Sequence, residues 1–375
     1  MTPVFRSEGQ RRKRRHGYRS GNLRGRLGLT ELTQPALLAA MQVVITTIFE
    51  PTSGAEQIAS ALAKQGGTLW VMGDRSGPAE YLLPATQFYD IHAQRVLPFD
   101  LVKVLPEKHY TRKNLGYLLA IQAGARMLVE TDDDNLPLPN YWQARIPEVA
   151  ARKVLEKGWF NVYAAFGASR VWPRGLPLES VNAPVPAFSS ELTPTECLIQ
   201  QGLANQNPDV DAVYRLVLPL PIDFADAAPI ALPAGSWCPF NSQNTTWFEE
   251  AFPLLYLPSC CTFRMTDIWR SFVAQRCLWE MGSSLGFIAA TMTQERNEHS
   301  LLNDFQQEIP GYLQNHNIRI ILESLTLQEG RAVDAVCANL QTCYEALVAK
   351  SILPQQELAI LNAWIADVSV ILSTR

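Results

Sequence analysis

The sequence has no run of about 18 consecutive apolar residues, and its basic start is not followed by the apolar segment of a secretory signal. These absences predict a chain without a transmembrane segment that stays cytoplasmic. Seven cysteines (Cys197, Cys238, Cys260, Cys261, Cys277, Cys337, Cys343) form an odd set without C-x-x-C spacing. That argues against a disulfide framework and a zinc site, and predicts reduced, mostly buried thiols. No G-x-S-x-G elbow appears and the five histidines form no convincing motif, which argues against a Ser-His-Asp hydrolase. No G-x-G-x-x-G follows the first strand-like segment, which argues against a Rossmann dehydrogenase. No internal repeat is evident.

What is present suits a globular protein: 375 residues, 47% apolar and 18% charged, enough for one large α/β domain plus an appendage. Charge is uneven. Residues 1–40 hold nine Lys or Arg against Glu8 and Glu31, a balance of +7 that leaves −11 for residues 41–375. A basic arm of this kind suits nucleic acid or anionic lipid, or is a disordered extension or the product of an upstream start codon. The strand-like opening Met41-Gln42-Val43-Val44-Ile45 favours the extension, and the acidic body predicts no nucleic-acid function.

Strand and helix patterns alternate after Met41. Val43–Phe49 and Thr68–Met72 read as strands, and 54–65 and 114–124 as helices. The run Ala125–Thr131 reads as a further strand that delivers Asp132-Asp133-Asp134 to its carboxyl end. The β-α-β order predicts a mostly parallel sheet whose ligands lie beyond the strand carboxyl ends. Carboxylates there suit Mg²⁺ or Mn²⁺ and a nucleotide diphosphate, although an acidic triplet is also a common solvated turn. Asp74, after the second strand, is either a base or ribose contact or part of a turn. Residues 160–260, rich in Pro, Gly and aromatics, read as substrate-facing loops. From about residue 297 the apolar spacing becomes helical.

Five ordered motifs carry a resemblance: Tyr110-Thr111-Arg112-Lys113-Asn114-Leu115-Gly116-Tyr117, the acidic triplet, Trp172-Pro173-Arg174-Gly175-Leu176-Pro177, Cys238-Pro239-Phe240-Asn241-Ser242, and Arg264-Met265-Thr266-Asp267-Ile268-Trp269. Over roughly residues 41–300 the chain resembles the soluble domain of plant STELLO proteins, glycosyltransferases tied to cellulose synthesis. More distantly it is similar to reversibly glycosylated polypeptides, which include UDP-arabinopyranose mutases. The resemblance implies a GT-A type (Rossmann-like) nucleotide-sugar-binding domain at 41–295; the C-terminal helical extension at 296–375 lies outside it and is read from the apolar spacing. It further implies a nucleotide-sugar donor, UDP-linked by preference, a glycan or other small acceptor, and Mn²⁺ or Mg²⁺. A homo-oligomer is compatible with it.

Carried over by position, Asp132 and Asp134 would hold the metal, with His299 as a further ligand or a structural residue. Asp132, Asp133, Asp74, Arg112, Lys113 and Arg264 would serve the donor. Arg112 and Lys113 independently suit phosphate at a helix start, or form an exposed basic pair. Arg174 matches an arginine that is reversibly glycosylated in the mutase-related family, but Leu176 replaces an aromatic there, so a structural arginine is the alternative. Asp267, among large apolar side chains, is expected to have a raised pKa and act as general base, or to cap a helix. Trp269 is expected in the core. Transfer is preferred over mutase chemistry and over a non-catalytic nucleotide-sugar-binding role.

Overall fold

A computed structural model describes residues 41–295 and 300–375. The basic segment 1–40 and His299 lie outside the described residues. Four strands, β1 (Met41–Thr46), β2 (Thr68–Met72), β3 (Thr86–Tyr89) and β4 (Met127–Thr131), run parallel in the order β3-β2-β1-β4. Helices α1 (Ser53–Gln65) and α2 (Lys113–Gln122) cover them. Each element has a local cause. The β-branched and apolar side chains of β1 are buried on both faces, as a covered parallel sheet requires. The first helix starts where the Thr52 hydroxyl accepts from the Ala55 amide, buries Ile58 and Leu62, and ends at Gly66 with φ 76°.

The remaining strands are β5 (Asn135–Pro137), β6 (Glu148–Lys153), β7 (Gly158–Trp159), β8 (Thr193–Glu196), β9 (Ile199–Asn205), β10 (Ile230–Leu232), β11 (Ser236–Trp237), β12 (Asn244–Phe248) and β13 (Leu285–Gln294). They extend the sheet as β4-β12-β9-β13-β10-β6-β8, while β7 and β11 form a separate pair. Two expectations are corrected here. The sheet is mixed, because β12 runs antiparallel to both β4 and β9. The stretch 160–260 also supplies central strands besides loops. Its strand β12 buries polar side chains that hide the usual alternation: Asn244 donates to Thr291 Oγ1 at 2.7 Å, and Thr245 donates to Gln201 Oε1 at 2.9 Å.

After helix α3 (Thr266–Glu280), the chain ends in α4 (Leu301–Glu323), α5 (Val333–Ala349) and α6 (Gln356–Ser373). By length and mean hydropathy of 1.2, α6 is apolar enough to cross a membrane. Its contacts are those of a core helix. Buried Glu357 accepts from the Ser259 and Cys260 amides at 3.1 and 2.7 Å, Asp367 accepts from the Asp100 and Leu101 amides at 2.9 and 2.8 Å, and Trp364 donates to the Pro253 carbonyl at 3.0 Å. All seven cysteines are free and five are buried, as expected. The architecture is the α/β fold with C-terminal helices that the sequence predicted.

Candidate active site

The carboxyl ends of β1, β2 and β4 open into one cavity of about 530 Å³, lined among others by Thr47, Asp74, the acidic triplet, Arg174 and Asp267. Loop contacts fix the triplet from both sides. The Thr47 hydroxyl donates to the Asp133 carboxylate, and the Thr52 hydroxyl donates to the Asp133 carbonyl. Gly54 is required at the start of α1, because a Cβ there would lie 2.2 Å from the Asn135 carbonyl oxygen. Asp132 accepts from the Tyr110 hydroxyl at 3.1 Å and lies 3.4 Å from Lys113 Nζ. Gln294 Nε2 donates to both oxygens of Asp134 at 3.1 Å.

Burial raises the pKa of all three aspartates. Asp134 rises furthest, to about 7, because burial is reinforced by the neighbouring Asp132 charge. Hard oxygen donors that resist ionisation beside one another fit a divalent cation, which would relieve that repulsion. Among the described residues, no group of three metal-ligating side chains is already assembled. Asp132 and Asp134 supply two donors, and His299 lies outside the described residues.

Arg174 occupies the other wall. Its Nε and Nη2 donate to Asp209 at 2.8 and 2.7 Å, its Nη1 and Nη2 donate to Asp267 at 3.0 and 2.9 Å, and Nη1 also donates to the Arg264 carbonyl. Gly175, at φ 92°, allows this approach, since a Cβ there would meet Ile268 Cγ2 at 2.4 Å. The expected rise of the Asp267 pKa is overturned. Burial does push it up, but the Arg174 guanidinium more than offsets this and holds it well below the usual carboxylate range. Nor does Asp267 cap a helix. It lies in the first turn of α3 and accepts from the Ser242 amide at 3.2 Å, while no side chain caps that helix.

Other expected residues have structural duties. Lys113 is fully buried rather than exposed, donating to the Thr131 carbonyl at 2.6 Å and to the Tyr110 hydroxyl at 2.8 Å. It therefore steadies the triplet from behind, and its ammonium is not free for phosphate. Arg112 is also buried, with Nε donating to Gln94 at 2.7 Å. Asp74 accepts from the Arg75, Lys108 and His109 amides at 2.7, 2.9 and 2.9 Å, so the turn reading holds although the residue lines the cavity. Arg264 donates from Nε to buried Glu308 at 2.9 Å. Trp269 is in the core, as expected, with its indole donating to Asn315 at 2.9 Å.

Sequence reasoning missed Asp209, Tyr110 and Ser242. The Tyr110 hydroxyl donates to Asp132 and accepts from the Ser242 hydroxyl, and the Ser242 amide donates to Asp267, so one hydrogen-bonded path through Ser242 joins the two carboxylate walls. Tyr110 and Ser242 belong to the motifs quoted above, which was the available signal. Asp209, 35 positions after its partner, offered none.

A family model of the STELLO glycosyltransferases matches residues 264–373. The "Probable glycosyltransferase STELLO2" of Arabidopsis thaliana is 32% identical over 267 residues, covering 66% of this chain and 34% of that protein. Its counterpart STELLO1, from the same plant, is 30% identical over 267 residues with the same coverage. The chain thus spans about a third of the length of the curated relatives it matches. Among solved structures, a crystal structure of M. tuberculosis glucosyl-3-phosphoglycerate synthase is similar at a TM-score of 0.37 and 12% identity, covering 76% of this chain and 84% of that one. By sequence, the chain is similar to the STELLO glycosyltransferases over 66% of its length.

Proposed function

We propose that the protein is a metal-dependent glycosyltransferase that takes a nucleotide sugar, UDP-linked by preference, and passes the sugar to a carbohydrate or other small acceptor. The carrying observation is that the triplet and the Arg174–Asp267 pair share one cavity at the strand carboxyl ends. Asp132 and Asp134 would hold Mn²⁺ or Mg²⁺, which when bound neutralises pyrophosphate oxygens as the glycosidic bond breaks. Lys113, Tyr110 and Gln294 orient these carboxylates. Asp267, ionised at neutral pH, faces the acceptor hydroxyl and takes or orients its proton.

Mutase chemistry through Arg174 is disfavoured on physical grounds. A nucleophilic guanidinium must lose a proton, and here two carboxylates engage it on every nitrogen and stabilise its charged form. The test is a thermal-shift panel of UDP, GDP, CDP and dTDP sugars with and without Mn²⁺. The proposal expects one nucleotide class to stabilise the protein, and only with metal. Stabilisation by none of them, or equal stabilisation in chelator, would refute it.

A further inference from the structure

Three large apolar side chains on the cavity lining are half-exposed: Ile48 at 49%, Phe49 at 47% and Phe263 at 51%. Exposed apolar side chains beside a few convergent polar groups in one cavity are the usual make-up of a small-molecule site. The two aromatics reach the acidic triplet by separate routes. Phe49 is joined through its amide to the Thr47 hydroxyl, which donates to Asp133. Phe263 packs edge-on against Tyr110 at a centroid distance of 5.5 Å, and Tyr110 donates to Asp132.

Phe263 is also registered to Asp267. It opens the single turn Phe263–Met265 that leads into α3, and the next carbonyl, that of Arg264, is held by the same Arg174 nitrogen that donates to Asp267. One guanidinium therefore fixes the backbone beside the ring and the carboxylate together. A sugar ring carries C–H groups on its faces and hydroxyls around its edge. A ring laid on Phe263 would bury an apolar face while turning a hydroxyl toward Asp267.

We propose that Phe263 is the stacking platform for a sugar ring of a carbohydrate acceptor, on the Asp267 side of the cavity, leaving Ile48 and Phe49 to the donor side. This rests on the transferase reading above. It specifies an acceptor with an accessible sugar-ring face, as distinct from a lipid tail or a peptide.

The test uses the full chain with UDP and Mn²⁺, and a panel of soluble oligosaccharides (cellotetraose, maltotetraose, mannotriose) observed by saturation-transfer NMR and titration. Phe263→Ala removes the ring, Phe263→Leu keeps apolar bulk without a flat face, and Phe263→Trp keeps the platform. The half-exposed position predicts unchanged thermal transitions for all three. At least one oligosaccharide should bind the wild-type protein, bind Phe263→Ala and Phe263→Leu about tenfold more weakly, and bind Phe263→Trp comparably, with UDP affinity unchanged throughout. Oligosaccharide affinity indifferent to the ring, no oligosaccharide binding to the UDP-loaded protein, or a fall in UDP affinity on removing the ring would each overturn the assignment. Absence of UDP and Mn²⁺ binding to wild-type protein would instead overturn the transferase reading on which it rests.

Discussion

Asp134 offers the sharpest test of the metal site, because its ionisation is linked to both folding and binding. Moving a carboxyl from its ordinary 3.8 to about 7 corresponds to at most about 4 kcal/mol, and its partial exposure lowers that ceiling through screening. The sign follows from which state binds the proton. Below pH 4 both states are protonated and Asp134 costs nothing; between pH 4 and 7 the folded state holds a proton that the unfolded chain releases. The metal-free protein therefore loses stability as pH rises across that window, and the loss is complete above about 7. Metal binding must expel the proton, so Mn²⁺ affinity should rise about tenfold per pH unit below 7 and level off above it. Asp134→Asn should flatten that slope, weaken Mn²⁺ binding, and make the metal-free protein more stable than wild type at pH 8. Calorimetric titration with Mn²⁺ from pH 5.5 to 8.5, with denaturant unfolding in chelator, measures both effects. Wild-type affinity independent of pH would refute the reasoning.

Asp267→Asn should lower transfer by about 10²–10⁴-fold while nucleotide-sugar binding in a thermal-shift assay survives. Arg174→Lys should destabilise the protein by about 3–5 kcal/mol in urea unfolding, because Lys cannot satisfy Asp209 and Asp267 together in a buried site. Intact-mass spectrometry after incubation with labelled donor should show no sugar on Arg174, and an adduct mapped there would restore the mutase reading. Tyr110→Phe should reduce kcat with little change in acceptor KM, since it cuts the path between Asp132 and Ser242 without removing either carboxylate. A chain starting at Met41 should fold and retain donor binding, because β1 pairs with β2 and β4 from its first residues. Loss of either on truncation would count residues 1–40 as part of the working unit.

Three of the four parallel strands were legible because they are short apolar runs separated by helices, and Thr68–Met72 was placed to the residue, whereas β3, with its half-exposed Thr86–Tyr89, was not read. Strand β12 was not read either, since Asn244, Thr245 and Thr246 hydrogen-bond inside the protein, and sequence alone cannot tell a buried, hydrogen-bonded polar residue from a loop residue. The triplet could be read as a site because a strand preceded it. The Asp267 environment was misread for a definite reason. Local neighbours are apolar, but the dominant charge comes from Arg174, 93 positions away, and long-range pairing leaves no local trace. Lys113 shows the same limit, since its place beside Arg112 at a helix start suggested phosphate binding or a surface pair, while its ammonium is taken up by the Thr131 carbonyl of β4 and the Tyr110 hydroxyl.

The buried carboxylates of α6 have a consequence for how the protein opens. Glu357 satisfies the Ser259 and Cys260 amides just ahead of the segment that positions Asp267, and Asp367 satisfies Asp100 and Leu101. Each carboxylate closes two backbone donors that its own loop leaves open. Opening α6 alone would strand four amides without their acceptors, so the helix and the two loops it braces are expected to open as one cooperative unit.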